Sequence, residues 1–403
     1  MSGMRGSSAH HQERAGGGNR AQSVRRRGVV GRALASGVIV MAFGSACEGS
    51  PASDDEAAWV WELPPGIPEP VVPEDNPMSS AKVELGRALF FDVRLSYDQT
   101  MSCGSCHGPE QAFADGEVTP SGSTGEALAR NSQGLANVAY FSAYTWANPL
   151  LVSLEAQALV PLFADVPIEL GAQRDTEGIL QRLREDEALL DGFGRAFPEE
   201  EEPVSVASVI QALASYQRSL IDLDAPYDRF VQGDEAALDA AAQRGLALFL
   251  SERVGCARCH PPPFFTVNAR TVDDPDRAPE FVNTGLYNLD GEGSYPEGNA
   301  GLYELTADPA DIGRFRVPSL RSVGATAPYM HDGSVGSLAE AVDIYAAGGR
   351  VISDGPWAGD GRRSPLKSPM IEPLDLAPEE RADLVAFLRS LGDGPEDPLA
   401  PRL

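Results

Sequence analysis

Lysine is almost missing from this chain: Lys82 and Lys367 are the only two. Against 59 Asp and Glu stand 32 Lys and Arg, a formal net charge of −27. Such a surface repels phosphate backbones and anionic lipid, which excludes nucleic acid as a partner and favours a basic one. Cysteine is as scarce, five in 403 residues. Four of the five belong to two short motifs, so no disulfide framework is available. Past the N-terminal segment, no apolar run is long enough to suggest a membrane-spanning helix. Histidine is unevenly scarce: from Gly108 to Cys259 there is none, and that stretch has no methionine either.

Residues 1–46 hold a basic segment (Arg25, Arg26, Arg27, Arg32), then "ALASGVIVMAFGSA", then Cys47. A positive start, a short apolar stretch and small residues at the end describe an export signal, which places the protein in the periplasm. Cys47 is a candidate lipidated first residue, with simple cleavage near Ala46 as the alternative. The proline-rich stretch 47–78 reads as an extended linker.

What is present in full is the apparatus for attaching haem. "CGSCH" gives Cys103, Cys106 and His107, and "CARCH" gives Cys256, Cys259 and His260. Two cysteines separated by two residues and followed by histidine have the spacing of covalent c-type haem attachment, with the imidazole as iron ligand. A four-thiolate zinc site is the competing reading. It fails because each pair is followed at once by histidine and the pairs lie far apart. Two covalent haem c groups are therefore expected.

The two halves resemble each other around these motifs. "GRALF" precedes the first and "GLALF" the second, each in a helical pattern. "VASVIQALASYQRSLI" then closes the first half and "PEERADLVAFLRSL" the second, both amphipathic. The expected fold is mainly α with long loops and little β, an internal duplication of two cytochrome c-like haem domains. Their spans are 79–232 and 233–403, with the boundary near "QGDEAALD".

An electron-transfer haem is usually closed on its second side by histidine or methionine. Past His107 the first half offers neither, so its iron should lack a strong distal ligand and be open to peroxide, which argues for an enzyme. Opposite His260 the candidates are His331, Met330, Tyr345 and Met370. Ser337 with Glu340 predicts a capping box, and Leu338, Ala341, Val342 and Tyr345 share one helical face behind it.

Three stretches carry a resemblance over nearly the whole chain beyond the export signal: "WELPPGIPEPVVPEDNPMSSAKVELGRALFFD", "LEAQALVPLFADVPIELG" and "GRFRVPSLRSVGATAPYMHDGSVGSLAEAV". They resemble the bacterial di-haem cytochrome c peroxidase and MauG superfamily, most of all the MbnH-type enzymes of methanobactin gene clusters. The resemblance implies Gln157 and Glu169 on the distal side of the first haem, with Glu155 as the runner-up because the spacing is longer than the family pattern. A carboxylate with a hydrogen-bonding neighbour can take a proton from one peroxide oxygen and return it to the other. It implies Trp146 as the bridge between the haems, the alternative being an ordinary core tryptophan. It implies Tyr345 as the second haem's distal ligand, whose phenolate favours oxidised iron. A Ca²⁺ ion would be held by Asn131 and by the carbonyls of Thr326 and Pro328.

Family members that require prior reduction carry an inhibitory histidine in the first half, for which this chain has no residue. The implied activity is H₂O₂-driven oxidation of tryptophan to kynurenine on a small exported, copper-binding partner of the MbnP type, through a bis-Fe(IV) state. Two rivals stand beside it. One is a peroxide scavenger fed by an electron-donor cytochrome; the other is a non-catalytic electron carrier.

Overall fold

Each half is built on two helices that cross at a glycine. The computed structural model describes residues 59–394; the export segment, Cys47 and the start of the linker lie outside them. In the first half, α1 (Ser80–Phe90) begins where the Ser79 side chain accepts from the Lys82 amide, satisfying one of the orphaned first-turn donors. Further helices follow: α2 (Leu154–Phe163), α3 (Thr176–Arg184), α4 (Glu187–Ala196), α5 (Val206–Arg218) and the short α6 (Pro226–Val231). Ser153, Asp186 and Ser205 cap α2, α4 and α5 in the same way.

The stretch 232–239 connects α6 to α7 (Ala240–Phe249), which Asp239 caps. The second half continues through a single turn, α8 (Tyr303–Thr306), to α9 (Leu338–Ala346) and α10 (Pro378–Arg389). Proline at the first helical position of α10 costs no hydrogen bond, because that amide would have no partner. Among the described residues sheet is confined to two antiparallel pairs of two-residue strands: β1 (Phe281–Val282) with β2 (Phe315–Arg316), and β3 (Val351–Ile352) with β4 (Gly359–Asp360). The chain is mainly helical with long loops, as the sequence predicts.

The duplication is visible in the packing. α1 crosses α5, and α7 crosses α10. At Gly86 an added Cβ would lie 2.0 Å from the Ala212 carbonyl oxygen; at Gly245 it would lie 2.0 Å from that of Asp383. Only hydrogen fits at either crossing. Around the first crossing Phe90, Phe113 and Tyr216 pack edge to face; around the second Phe265 packs edge to face on Phe249 and Phe387, which are tilted against each other. These aromatic triads fill the space behind each haem motif and hold it rigid.

The halves touch through Tyr140 on Phe264, ring centroids 4.1 Å apart, and through a backbone bridge between Phe141 and Ala269. One local expectation is corrected. Ser337 does accept from the Glu340 amide, but the Glu340 carboxylate accepts from Gly336 and not from Ser337, so the box is displaced by one residue. No helix among the described residues is long and apolar enough to cross a membrane.

Candidate functional site

Both haem motifs form a short 3-10 turn, Cys103–Ser105 and Cys256–Arg258, so that cysteines and histidine project from one compact loop. Each histidine is then oriented in the same way. His107 Nδ1 donates to the Phe113 carbonyl at 2.8 Å, and His260 Nδ1 to that of Phe265 at 3.0 Å. A carbonyl can only accept, so Nδ1 carries the proton and Nε2 keeps its lone pair for a metal. Burial pushes both imidazoles towards the neutral form, His260 down to about 4. Phe113 and Phe265 both have positive φ, 60° and 51°. That left-handed backbone swings each carbonyl back towards its histidine, and sequence inspection gives no sign of it.

The surroundings of the first motif separate the two carboxylates that the sequence leaves in competition. After α2 the chain folds back, with Leu170 N donating to the Pro161 carbonyl, which sets Glu169 beside the helix that carries Gln157. Burial pushes the Glu169 carboxyl up to about 7, with no cation or hydrogen-bond donor to offset it. Its field reaches Cys103 and Cys106, whose thiols are raised to about 12 by burial first and by the Glu169 charge among the lesser causes. Those sulfurs become thioethers once haem is attached, so here the effect serves as a measure of nearness. Glu155 is different in kind. Its carboxylate accepts from Arg218 at 2.7 Å and from Asn76 at 2.7 Å. Burial alone would raise its pKa, but Arg218 and Asn76 outweigh that and hold it below the usual range. Glu155 is the charge partner of a buried arginine.

Beside the second motif lies a large cavity whose walls come from two separate apolar clusters. One holds Phe249, Leu384 and Leu388 with Cys256; the other holds Tyr295 and Phe315 with Trp146. α9 presents Leu338, Ala341, Val342 and Tyr345 to the cavity, the face expected from their spacing. Burial, and then proximity to Cys259 and Cys256, pushes the Tyr345 phenol well above its ordinary pKa, which sets the ring close to the motif. Met330 and Met370 also border the cavity. Met330 has φ 70° within the turn that the Tyr329–Val335 bridge closes, and Met370 is 40% exposed.

Trp146 borders the same space, and its indole N–H donates to the Asn131 carbonyl at 2.8 Å. Asn131, Thr326 and Pro328 all line this cavity. The Asn131 amide nitrogen donates to the Glu117 carbonyl at 2.8 Å, which leaves the amide oxygen for another partner. His331 is buried and stacked on Phe315, centroids 3.5 Å apart. The residue that sequence reading missed is Arg316. It sits in the quoted "GRFRVPSLR" stretch, but nothing in a sequence marks one arginine among many as fully enclosed.

The fit to a c-type haem can be judged from these residues. Attachment cysteines, a histidine with Nε2 available, apolar walls on both sides and an enclosed cation match an amphipathic macrocycle with two carboxylates. When bound, the two haems supply the redox chemistry; the residues described orient them and manage protons.

Comparison with known proteins agrees. The family model for di-haem cytochrome c peroxidase matches residues 80–236. Cytochrome-c peroxidase IdrP1 of Pseudomonas sp. (strain SCT) is 38% identical over 341 residues, 81% of this chain and 84% of that protein. Methylamine utilization protein MauG of Methylorubrum extorquens is 36% identical over 344 residues, 84% and 85% of the two chains. A crystal structure of a MauG-like protein associated with microbial copper homeostasis aligns with a TM-score of 0.81 and 48% identity, covering 83% of this chain and 95% of that one. The duplicated helix crossings, the two oriented histidines and the extent of these matches place the chain in the di-haem cytochrome c peroxidase and MauG family, as a di-haem peroxidase carrying two haem c groups.

Proposed function

We propose that this is a periplasmic di-haem peroxidase that spends H₂O₂ on oxidising tryptophan to kynurenine in a small exported, copper-binding partner of the MbnP type. The observation that carries the reading is the 48% identity to a MauG-like protein associated with copper homeostasis. Export rests on the signal in residues 1–46 and anchoring on lipidation of Cys47, both outside the described residues. The haem domains are taken as 79–232 and 233–403.

In this reading Glu169 is the acid–base group over the first haem. An isolated carboxyl titrating at about 7 can both accept and return a proton at neutral pH. Gln157, one turn before Pro161 on α2, orients the peroxide beside it. Tyr345 closes the second haem and favours its oxidised form. Trp146 links the two sites, and a Ca²⁺ held by the Asn131 amide oxygen and the Thr326 and Pro328 carbonyls stiffens the segment behind it. Opening the indole C2–C3 bond of the substrate with two oxygen atoms consumes two peroxides and releases two waters. Hydrolysis of the formyl group then yields kynurenine and formate. A partner protein is too large to enter a haem cavity, so its electrons leave through the protein surface.

The test is to incubate the ferric enzyme with H₂O₂ and a small exported copper-binding protein of the MbnP type, then map peptides by mass spectrometry. Kynurenine in place of one tryptophan is the expected result. The rival scavenger reading draws on relatives named as cytochrome-c peroxidases. An unmodified partner together with rapid consumption of a reduced cytochrome would establish it instead.

A further inference from the structure

Two orphaned polar atoms border the cavity beside the second motif: Nη1 of Arg316 and Nε2 of His331. Both side chains are buried, at 2% and 4% exposure, and neither atom has a hydrogen-bond partner among the described residues. The rest of Arg316 is fixed. Its Nε donates to the Thr145 carbonyl at 3.1 Å, its Nη2 to Oε1 of Gln133, and its backbone amide to the Trp146 carbonyl at 2.7 Å. The guanidinium lies over the Phe141 ring, 4.8 Å from its centroid. Burial pulls its pKa down to about 10, and no acidic side chain offsets this; the Tyr144 phenol alone acts the other way.

A buried cation with no counter-charge costs several kcal/mol, on the order of what breaking a buried ion pair costs. Every other arginine described here as enclosed has its anion: Arg218 has Glu155 and Arg321 has Asp228. Arg316 lacks one among the described residues, so its anion must come from what the cavity receives. The two wall clusters say which anion. Cys256 belongs to the cluster of Phe249, Leu384 and Leu388, so the covalently attached, apolar edge of the macrocycle faces that side. Arg316 follows Phe315 of the other cluster, and His331 is stacked on that same Phe315. The polar edge of an amphipathic cofactor belongs there.

We propose that Arg316 and His331 form the carboxylate receptor of the second haem site, Nη1 of the guanidinium and Nε2 of the imidazole each donating to a haem propionate. Arg316 is then also a positioning residue for Trp146. The guanidinium that receives the propionate holds the Thr145 carbonyl, and its own amide holds that of Trp146, so filling the cavity orders the segment bearing the indole. The inference rests on the haem assignment alone and is independent of which substrate is oxidised.

The experiment uses the holoprotein. Haem is first counted by pyridine haemochrome; fewer than two per chain in the unaltered protein would refute the di-haem assignment and not this receptor. Resonance Raman propionate-bending bands and the two midpoint potentials are then compared in Arg316→Gln, Arg316→Lys and His331→Phe. Arg316→Gln should shift a bending band and lower the second haem's potential, since an unpaired propionate stabilises the ferric state. Arg316→Lys should restore most of the potential, and His331→Phe should give a smaller band shift, its ring still stacking on Phe315. Bands and potentials unchanged in Arg316→Gln, or changes confined to the first haem, overturn the proposal. If Arg316→Gln fails to accumulate with haem, His331→Phe decides, and unshifted bands in it overturn the proposal equally.

Discussion

The two haem motifs share a frame and differ in the residues gathered beside them. Behind each motif a glycine lets two helices cross, three aromatic rings pack, and a left-handed phenylalanine aims its carbonyl at the histidine Nδ1. Near the first motif lies Glu169, a buried carboxyl pushed up to about 7, and beside the second lies α9 with Tyr345 on the cavity wall. The frame is common to both halves, and the difference lies in side chains outside it; in the proposed function these are the residues on the distal sides. A frame made of backbone crossings tolerates little change, because an added methyl at Gly86 or Gly245 meets backbone. A distal side chain can be exchanged without moving the frame, so one half can become reactive while the other becomes closed.

The strongest way to break this comparison is to remove the reactive group. Glu169→Gln should slow the reaction of the ferric enzyme with H₂O₂ by about 10²–10⁴-fold, the usual scale of lost acid–base catalysis, as read by stopped-flow absorbance. No prior reduction should be needed in the unaltered enzyme, because the first half has no histidine to block its haem. Acting as base, Glu169 must be ionised, so the rate should rise with pH through about 7 and level off above it. The same burial acts on stability in the opposite sense. The folded state holds this proton above the pH at which the unfolded chain releases it, so stability falls as pH climbs from the ordinary carboxylate range to about 7. Glu169→Gln should remove both inflections.

Glu155 sharpens the contrast between a reactive and a structural carboxylate. Glu155→Gln leaves the Arg218 guanidinium, 2% exposed, without its counter-charge. It should lose about 3–5 kcal/mol of stability in denaturant unfolding while the peroxide step stays within a few-fold of normal. A large rate loss without destabilisation would reverse the roles given to Glu155 and Glu169.

If the frames are equivalent, Gly86→Ala and Gly245→Ala should hurt alike, each by about 1–3 kcal/mol as overpacking of a helix crossing does. Thermal unfolding measures this. A marked inequality would show that one half carries the stability of the other.

The mildest change is at the closed site. Tyr345→Phe should alter the ferric spectrum of the second haem and shorten the life of the oxidised enzyme, and Tyr345→Met should raise that haem's potential. An unchanged spectrum in Tyr345→Phe would transfer the ligand role to Met330, which borders the same cavity.

The sequence by itself determined whatever depends on neighbours along the chain. Haem attachment needs two thiols and an imidazole within five residues, so Cys103 to His107 and Cys256 to His260 were legible as they stand. The helices flanking each motif were legible from periodicity, as was the face of α9 that turns Tyr345 to the cavity. The glycine crossings were half legible: "GRALF" and "GLALF" showed the repeat but not the carbonyls, Ala212 and Asp383, that forbid a side chain. What only the tertiary structure decided was the state of each charge. Glu155 and Glu169 are the same residue type fourteen positions apart, and nothing local distinguishes them. One is ionised because the fold brings Arg218 to it across 63 positions of chain, and the other is held near neutrality because the fold buries it and brings nothing. Arg316 reads as one more surface cation until the fold encloses it. A side chain's charge state follows from its solvation and its distant partners, and those are properties of the folded chain.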